Sequence, residues 1–155
     1  MFQRLESSWQ SCPRDKRLLG IDHGTKTLGL ALSDPDQTVV TPLKTITRGK
    51  FEADVQALSK VVDDYGIGGV IVGWPLTMDG REGPRTQSVG DYIKMLEPRF
   101  PKLWFAVWDE RMSTDAAHQF MADLTFDKRE RAVDALAAQN ILQGAVDFIS
   151  VNRTS

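Results

Sequence analysis

The stretch Leu18-Leu19-Gly20-Ile21-Asp22-His23-Gly24-Thr25-Lys26, running on through Leu28-Gly29, decides how this chain is read. Leu18 to Ile21 have the unbroken apolar character of a strand buried on both faces, and Asp22 stands where that strand ends. The turn His23-Gly24-Thr25-Lys26 leads into a second strand, Leu28 to Ser33. Pro35 and Asp36 mark another turn, and Thr38 to Ile46 supply a third strand. Three strands joined by short turns form an antiparallel meander.

Beyond the meander the period changes. Phe51, Val55, Leu58, Val62 and Tyr65 recur at spacings of three and four, the stripe of an amphipathic helix that Gly66 and Gly68 end. Gly69-Val70-Ile71-Val72-Gly73 suits a buried strand, and Trp74 to Arg85 reads as a loop. Val89, Tyr92, Ile93 and Leu96 mark a second helix stopped by Pro98 and Pro101, and Leu103 to Trp108 read as the fifth strand. Ser113 or Thr114 can cap a short helix through about Leu124. Asp127, with Glu130 three residues on, can cap a last helix from Lys128 to about Ile149. The expected fold is α/β, a five-stranded mixed sheet made of the meander plus β-α units, with helices on its faces.

Within that frame Asp134 is informative. It falls on one stripe of the last helix with Ala138, Ile141, Ala145 and Phe148, the stripe that should pack on the sheet. A carboxylate there needs a partner or a metal, because unpaired burial costs several kcal/mol. The plainer reading places it at the stripe's edge, near the positive end of the helix. On the helix alone the two weigh equally. Asp22 tips the balance: a strand-end carboxylate before a glycine turn is placed to hold a metal and to let a phosphate approach the backbone. Glu110 repeats the arrangement after the strand Leu103 to Trp108. Three converging carboxylates without His or Cys suit Mg²⁺ or Mn²⁺, and two such ions about 4 Å apart promote phosphodiester hydrolysis.

Four segments together resemble the YqgF (RuvX) family of pre-16S rRNA nucleases and Holliday-junction resolvase-like proteins. They are Gly20-Ile21-Asp22-His23-Gly24-Thr25-Lys26, Val72-Gly73-Trp74-Pro75-Leu76-Thr77-Met78-Asp79-Gly80, Asp109-Glu110-Arg111-Met112-Ser113-Thr114, and Val133-Asp134-Ala135-Leu136-Ala137-Ala138 with Ile141-Leu142-Gln143. They lie in order and span most of the chain from Leu18 to Phe148. The resemblance implies an RNase H-like fold, with Asp22, Glu110 and Asp134 as catalytic acids and metal ligands. It also implies an activity, 5′-end processing of pre-16S rRNA within or outside a ribosomal particle, with a DNA four-way junction as the alternative substrate. Trp74 stands where an aliphatic residue is more usual, and the stretch before Arg17 has no counterpart in the family pattern.

Thr25, Lys26, Arg81, Arg85, Arg111, Lys128 and Arg129 lie in or beside these segments, where hydroxyls and cations grip phosphates. For any one of these basic residues, simple solvation is the plainer role. Among the tryptophans, Trp104 and Trp108 read as strand core. Trp74 is placed either to stack on a base or, more plainly, to pack.

Composition sets outer bounds. Apolar residues make up 41% and charged residues 26% of the chain, and 19 basic against 21 acidic residues give a net charge of −2. That is ordinary for one soluble domain and is not the footprint of a protein that coats nucleic acid. No apolar run suits a membrane span, and the lone Cys12 excludes an internal disulfide, so a cytoplasmic site is expected. Residues 1–16 read as a flexible extension and 17–150 as the domain, a monomer or a homodimer, the latter suited to a two-fold junction. Two other function classes compete. One is a nucleic-acid-binding or transcription-associated module without turnover. The other is an actin-like or sugar-kinase phosphate loop at Asp22-His23-Gly24-Thr25, for which 155 residues are too few.

Overall fold

The computed structural model describes the backbone of residues 1–112 and 126–154, with side chains up to residue 111 and from residue 135 onward. The chain enters through a two-residue strand β1 (Gln3–Arg4), a short helix α1 (Leu5–Ser8) and a 3₁₀ turn (Trp9–Ser11). The meander follows as β2 (Arg17–His23), β3 (Thr27–Ser33) and β4 (Val40–Thr47). Then come α2 (Phe51–Tyr65), β5 (Ile67–Trp74), α3 (Pro84–Leu96), β6 (Trp104–Asp109) and the long helix α4 (Phe126–Arg153).

All strands join one sheet in the order β1-β6-β5-β2-β3-β4. The β2–β3 and β3–β4 pairs are antiparallel, while β5 lies parallel to both β2 and β6. The sheet has six strands rather than the expected five, because β1 pairs parallel to β6 at Gln3↔Ala106 and Arg4↔Val107. Two residues cannot display a two-residue period, so no pattern in the sequence marks this strand.

Helices cover both faces, which is why β2, β3 and β5 are apolar almost without interruption. One face packs Leu19, Ile21, Leu28, Leu30, Val70 and Val72 against α2 and α3. The other packs Leu18, Ala31, Ile71 and Ala106 against Ala138, Ile141, Leu142 and Ala145 of α4. A Cβ built on Gly20 of β2 would lie 2.8 Å from Leu142 Cβ and 3.1 Å from the Ala138 carbonyl oxygen, so the bare glycine lets α4 lie directly on the sheet. Strand β4, at the sheet's edge, is exposed at Thr41, Pro42, Lys44 and Thr47.

The N-terminal segment expected to be a frayed extension packs instead. Leu5 is fully buried and Cys12 nearly so, both in the core beneath α4. The Arg153 guanidinium, at the end of α4, donates to the Cys12 carbonyl and to Gln37 Oε1, and the Gln37 amide donates to the Pro13 and Lys16 carbonyls. These contacts are distant in sequence, so the segment's composition gave no hint of them. Burial, opposed by the Arg153 charge, pushes the Cys12 thiol up to about 11. At pH 8 the thiolate is thus about a hundredfold scarcer than in the unfolded chain. Iodoacetamide at that pH should label native protein at least about a hundredfold more slowly than protein in denaturant, and equal rates would show the segment unpacked.

Two other expectations shift. Trp74 closes β5 rather than opening a loop, and it is buried with its ring 5.7 Å from Phe2, so packing, not base stacking, is its role. Helix α4 is recorded from Phe126, so Asp127 lies inside the helix and does not cap it. The short helix expected between Ser113 and Leu124 lies outside the described residues. Trp108 is core, as read, while Trp104 is partly buried.

Candidate active site

The parallel strands β2, β5 and β6 all end at one edge of the domain, and each contributes there. Successive residues of a strand face opposite sides of the sheet, so Asp22 shares the α4 side with Gly20. On β5 that side is taken by Gly73, where an added Cβ would meet Ile141 Cδ1 at 2.6 Å, Glu110 Oε1 at 2.8 Å and Glu110 Cγ at 3.0 Å. The missing side chain of Gly73 is therefore the space that Glu110 occupies. Glu110 opens a 3₁₀ turn directly after β6, and it reaches across β5 to make a hydrogen bond with Asp22. The strand-end acids that looked equivalent in the sequence do meet.

Two carboxyl groups in contact cannot both remain ionised without help. Burial raises the Glu110 pKa above the ordinary carboxylate range, and the neighbouring Asp109 charge adds to the rise. The Arg85 charge and the hydrogen bond with Asp22 oppose it. Arg85 stands in the first turn of α3 and is exposed, and among the described basic residues named from the sequence it is the one whose charge reaches Glu110.

Helix α4 runs toward the same edge. Ala138 and Leu142 lie over Gly20, whereas Arg153 reaches Cys12, which precedes β2. The helix thus runs antiparallel to β2, and the turn before Ala138, which contains residue 134, advances toward the Asp22 end of the strand. The Asp134 side chain lies outside the described side chains, as do those of Lys128 and Arg129. Among the described residues no group of three or more His, Cys, Asp or Glu side chains converges; Asp22 and Glu110 form a pair. Their donor set is all oxygen and fits a hard divalent cation.

Thr25 and Lys26 are exposed on the turn between β2 and β3, immediately beyond Asp22. Arg81 and Arg111 are less free than the sequence suggested. Arg81 Nε lies 3.1 Å from Asp79, and Arg111 donates through Nε and Nη2 to Asp109 at 2.7–3.1 Å. Partial burial works against it, but these bonds hold the Asp109 carboxyl below its ordinary range. Both pairs have the local form Asp-x-Arg, a signal legible in the sequence. Thr77 accepts from the Arg81 amide and donates to Asp79, which ties the loop between β5 and α3 together beside Arg111.

His23, next to Asp22, points to the other face of the sheet. It is buried against Tyr92 with ring centroids 4.6 Å apart, and its Nε2 has no partner among the described residues. Burial, reinforced by the Arg48 charge, holds its pKa down to about 4, so it is neutral near pH 7 and acts as part of the packing.

Known proteins fit this architecture. Residues 16–148 match the sequence profile of RuvX, a family described as Holliday junction resolvase. A protein of Paramagnetospirillum magneticum named "Putative pre-16S rRNA nuclease" is 48% identical over 139 residues, which span 88% of this chain and 89% of that one. A protein of the same name from Rhodospirillum centenum is 46% identical over 144 residues, spanning 88% of this chain and 76% of that one. Among solved structures, Thermus thermophilus RuvC in complex with a Holliday junction superposes with a TM-score of 0.54 at 12% identity, covering 89% of this chain and 96% of that one. The yeast mitochondrial Holliday junction resolvase Ydc2 gives a TM-score of 0.54 at 10% identity, covering 97% and 86%. The fold is thus the RNase H-like fold of these resolvases. With the four sequence segments in place and the profile matched across residues 16–148, the chain belongs to the RuvX family.

Proposed function

We propose that this protein is a metal-dependent endonuclease that hydrolyses phosphodiester bonds in structured nucleic acid, with the 5′ end of pre-16S rRNA as its substrate. Asp22, Glu110 and Asp134 are the catalytic acids and would hold one or two Mg²⁺ or Mn²⁺ ions. The observation that carries the reading is the contact between Asp22 and Glu110 at the ends of two parallel strands, in the space left by Gly73. A divalent cation bound there would polarise the phosphoryl oxygen and lower the pKa of an attacking water. The chain's own part is to keep both carboxyls deprotonated and aligned, a task for which Arg85 favours the ionised form of Glu110. Thr25, Lys26 and Arg85 flank the acids on exposed surface and would take the phosphates on either side. Arg81 and Arg111 would contribute only by exchanging their aspartate partners for phosphate. Lys128 and Arg129, in the first turns of α4, complete the proposed set.

A ribosomal substrate is supported by the names of the close relatives, and a branched DNA substrate by the family description and by the RuvC complex with a Holliday junction. No helix among the described residues is long and apolar enough to cross a membrane. End-labelled precursor rRNA and a DNA four-way junction, each incubated with wild type and Mg²⁺, Mn²⁺ or chelator, test the assignment. Metal-dependent cutting of the RNA in preference to the junction is expected. Preferential cutting of the junction by a dimer would reassign the substrate, and cutting of neither would favour a binding module.

A further inference from the structure

The turn after Asp22 is held by one residue from another strand. Arg48, just beyond β4, donates its backbone N–H to the Lys26 carbonyl at 2.8 Å. Its Nη1 donates to the Gly24 carbonyl at 2.6 Å and to the Thr25 carbonyl at 3.3 Å. Three consecutive carbonyls of the turn therefore point at a single side chain and its backbone. In a planar trans peptide the C=O and the following N–H point in opposite directions. Fixing the Gly24 and Thr25 carbonyls on Arg48 thus turns the N–H groups of Thr25 and Lys26 away from it. Successive N–H groups presented together are an anion-binding arrangement.

Arg48 is itself held from behind. Asp54, in α2, is 2% exposed, and its Oδ2 lies 3.8 Å from Arg48 Nε. The same carboxylate accepts from the Tyr92 hydroxyl at 2.9 Å and from the Gly49 amide at 3.2 Å. The Arg48 guanidinium carbon lies 4.9 Å from the centre of the Tyr92 ring, which also packs against the rings of His23 and Phe51. A buried carboxylate, a phenol and an aromatic face thus leave the guanidinium little freedom except to bridge the turn.

We infer that Arg48, backed by Asp54 and Tyr92, is a positioning residue that presents the Thr25 and Lys26 amides to a phosphate of the nucleic-acid substrate beside Asp22. The inference rests on the nucleic-acid reading of this site and specifies how one of its phosphates is gripped.

The test measures the Kd of a labelled structured RNA in Ca²⁺, and kcat and KM in Mg²⁺, for wild type, Arg48→Lys and Asp54→Asn. Circular dichroism melts confirm that each variant is folded. Arg48→Lys keeps the charge but cannot bridge two carbonyls while stacking on Tyr92, and a tenfold rise in Kd and KM with kcat changed less than threefold is expected. Asp54 is buried and cannot touch RNA. Neutralising it would tighten RNA binding if only charge mattered, whereas loss of Arg48's support should weaken binding about fivefold. Folded variants that bind RNA as tightly as wild type, or an Asp54→Asn that binds more tightly, would overturn the inference. A wild type that binds but does not cut, with both variants binding more weakly, would refute the nuclease reading and leave the positioning role standing. A wild type that binds no RNA would refute both.

Discussion

Replacing Glu110 by Gln is expected to abolish cutting while leaving the protein at least as stable as wild type. The side chain keeps its size and its place beside Gly73 but can no longer supply an anionic oxygen to a cation. A loss of about a thousandfold in kcat corresponds to about 4 kcal/mol of transition-state stabilisation, within what a metal site supplies. Stability should move the other way. Burial raises the Glu110 pKa, so the folded state holds this proton more tightly than the unfolded chain does. Above that raised pKa the ionised carboxylate opposes folding, and the neutral amide removes the penalty at pH 7 and above. The measurement is kcat together with the thermal midpoint at pH 7.5. A variant that loses both activity and stability would mean that Glu110 is a structural acid satisfied by its neighbours.

Gly73→Ala should separate stability from activity by a different route. The new methyl would stand 2.6 Å from Ile141 Cδ1 and 2.8 Å from Glu110 Oε1, distances that force something to move. The strand backbone is held on both sides by β2 and β6, so the side chains must give way. Overpacking of this kind costs about 1–3 kcal/mol. Displacing Glu110 from Asp22 should reduce kcat about a hundredfold, since misplacement of about 1 Å has that effect on oriented groups. Adding Ile141→Val removes the methyl that clashes on the α4 side but not the conflict with Glu110. The double variant should regain stability without regaining activity. Recovery of both would show that the helix contact alone had mattered.

The sequence was a good guide where periodicity and strand ends carry information. The meander, the helix from Phe51 to Tyr65 and the placement of Asp22 and Glu110 at strand ends were legible because they are local patterns. What those patterns could not express is contact between distant segments. That Glu110 reaches Asp22 depends on Gly73, a residue of the quoted second segment whose role appears only when β5 is placed between β2 and β6. The N-terminal segment looked like a polar tail because its single buried leucine, Leu5, and its parallel two-residue strand leave no periodic trace. Arg48 was passed over for a related reason: its partners are the turn at Gly24 and Thr25, Asp54 and Tyr92, drawn from three other parts of the chain.

Arg81 and Arg111 make the complementary point. Their sequence positions beside the second and third segments suggested phosphate contacts, yet each has an aspartate two residues away that takes the charge first. The Arg81–Asp79 pair is exposed on both sides, so it is of the kind that contributes little to stability and exchanges readily, whereas Asp109 is half-buried beneath the exposed Arg111. The acid pair differs, because its members lie in a space shaped by Gly73 and crossed by α4.

We propose that the carboxylates at the ends of β2 and β6 form a cation-dependent cutting centre. Its most direct test is cleavage of 5′-labelled precursor rRNA by wild type and Asp22→Asn, with Mg²⁺ and with EDTA in parallel. The expected result is a discrete fragment that requires Mg²⁺ and that Asp22→Asn, folded as judged by its melt, does not produce. Equal cutting by Asp22→Asn, or cutting by wild type that survives EDTA, would contradict it.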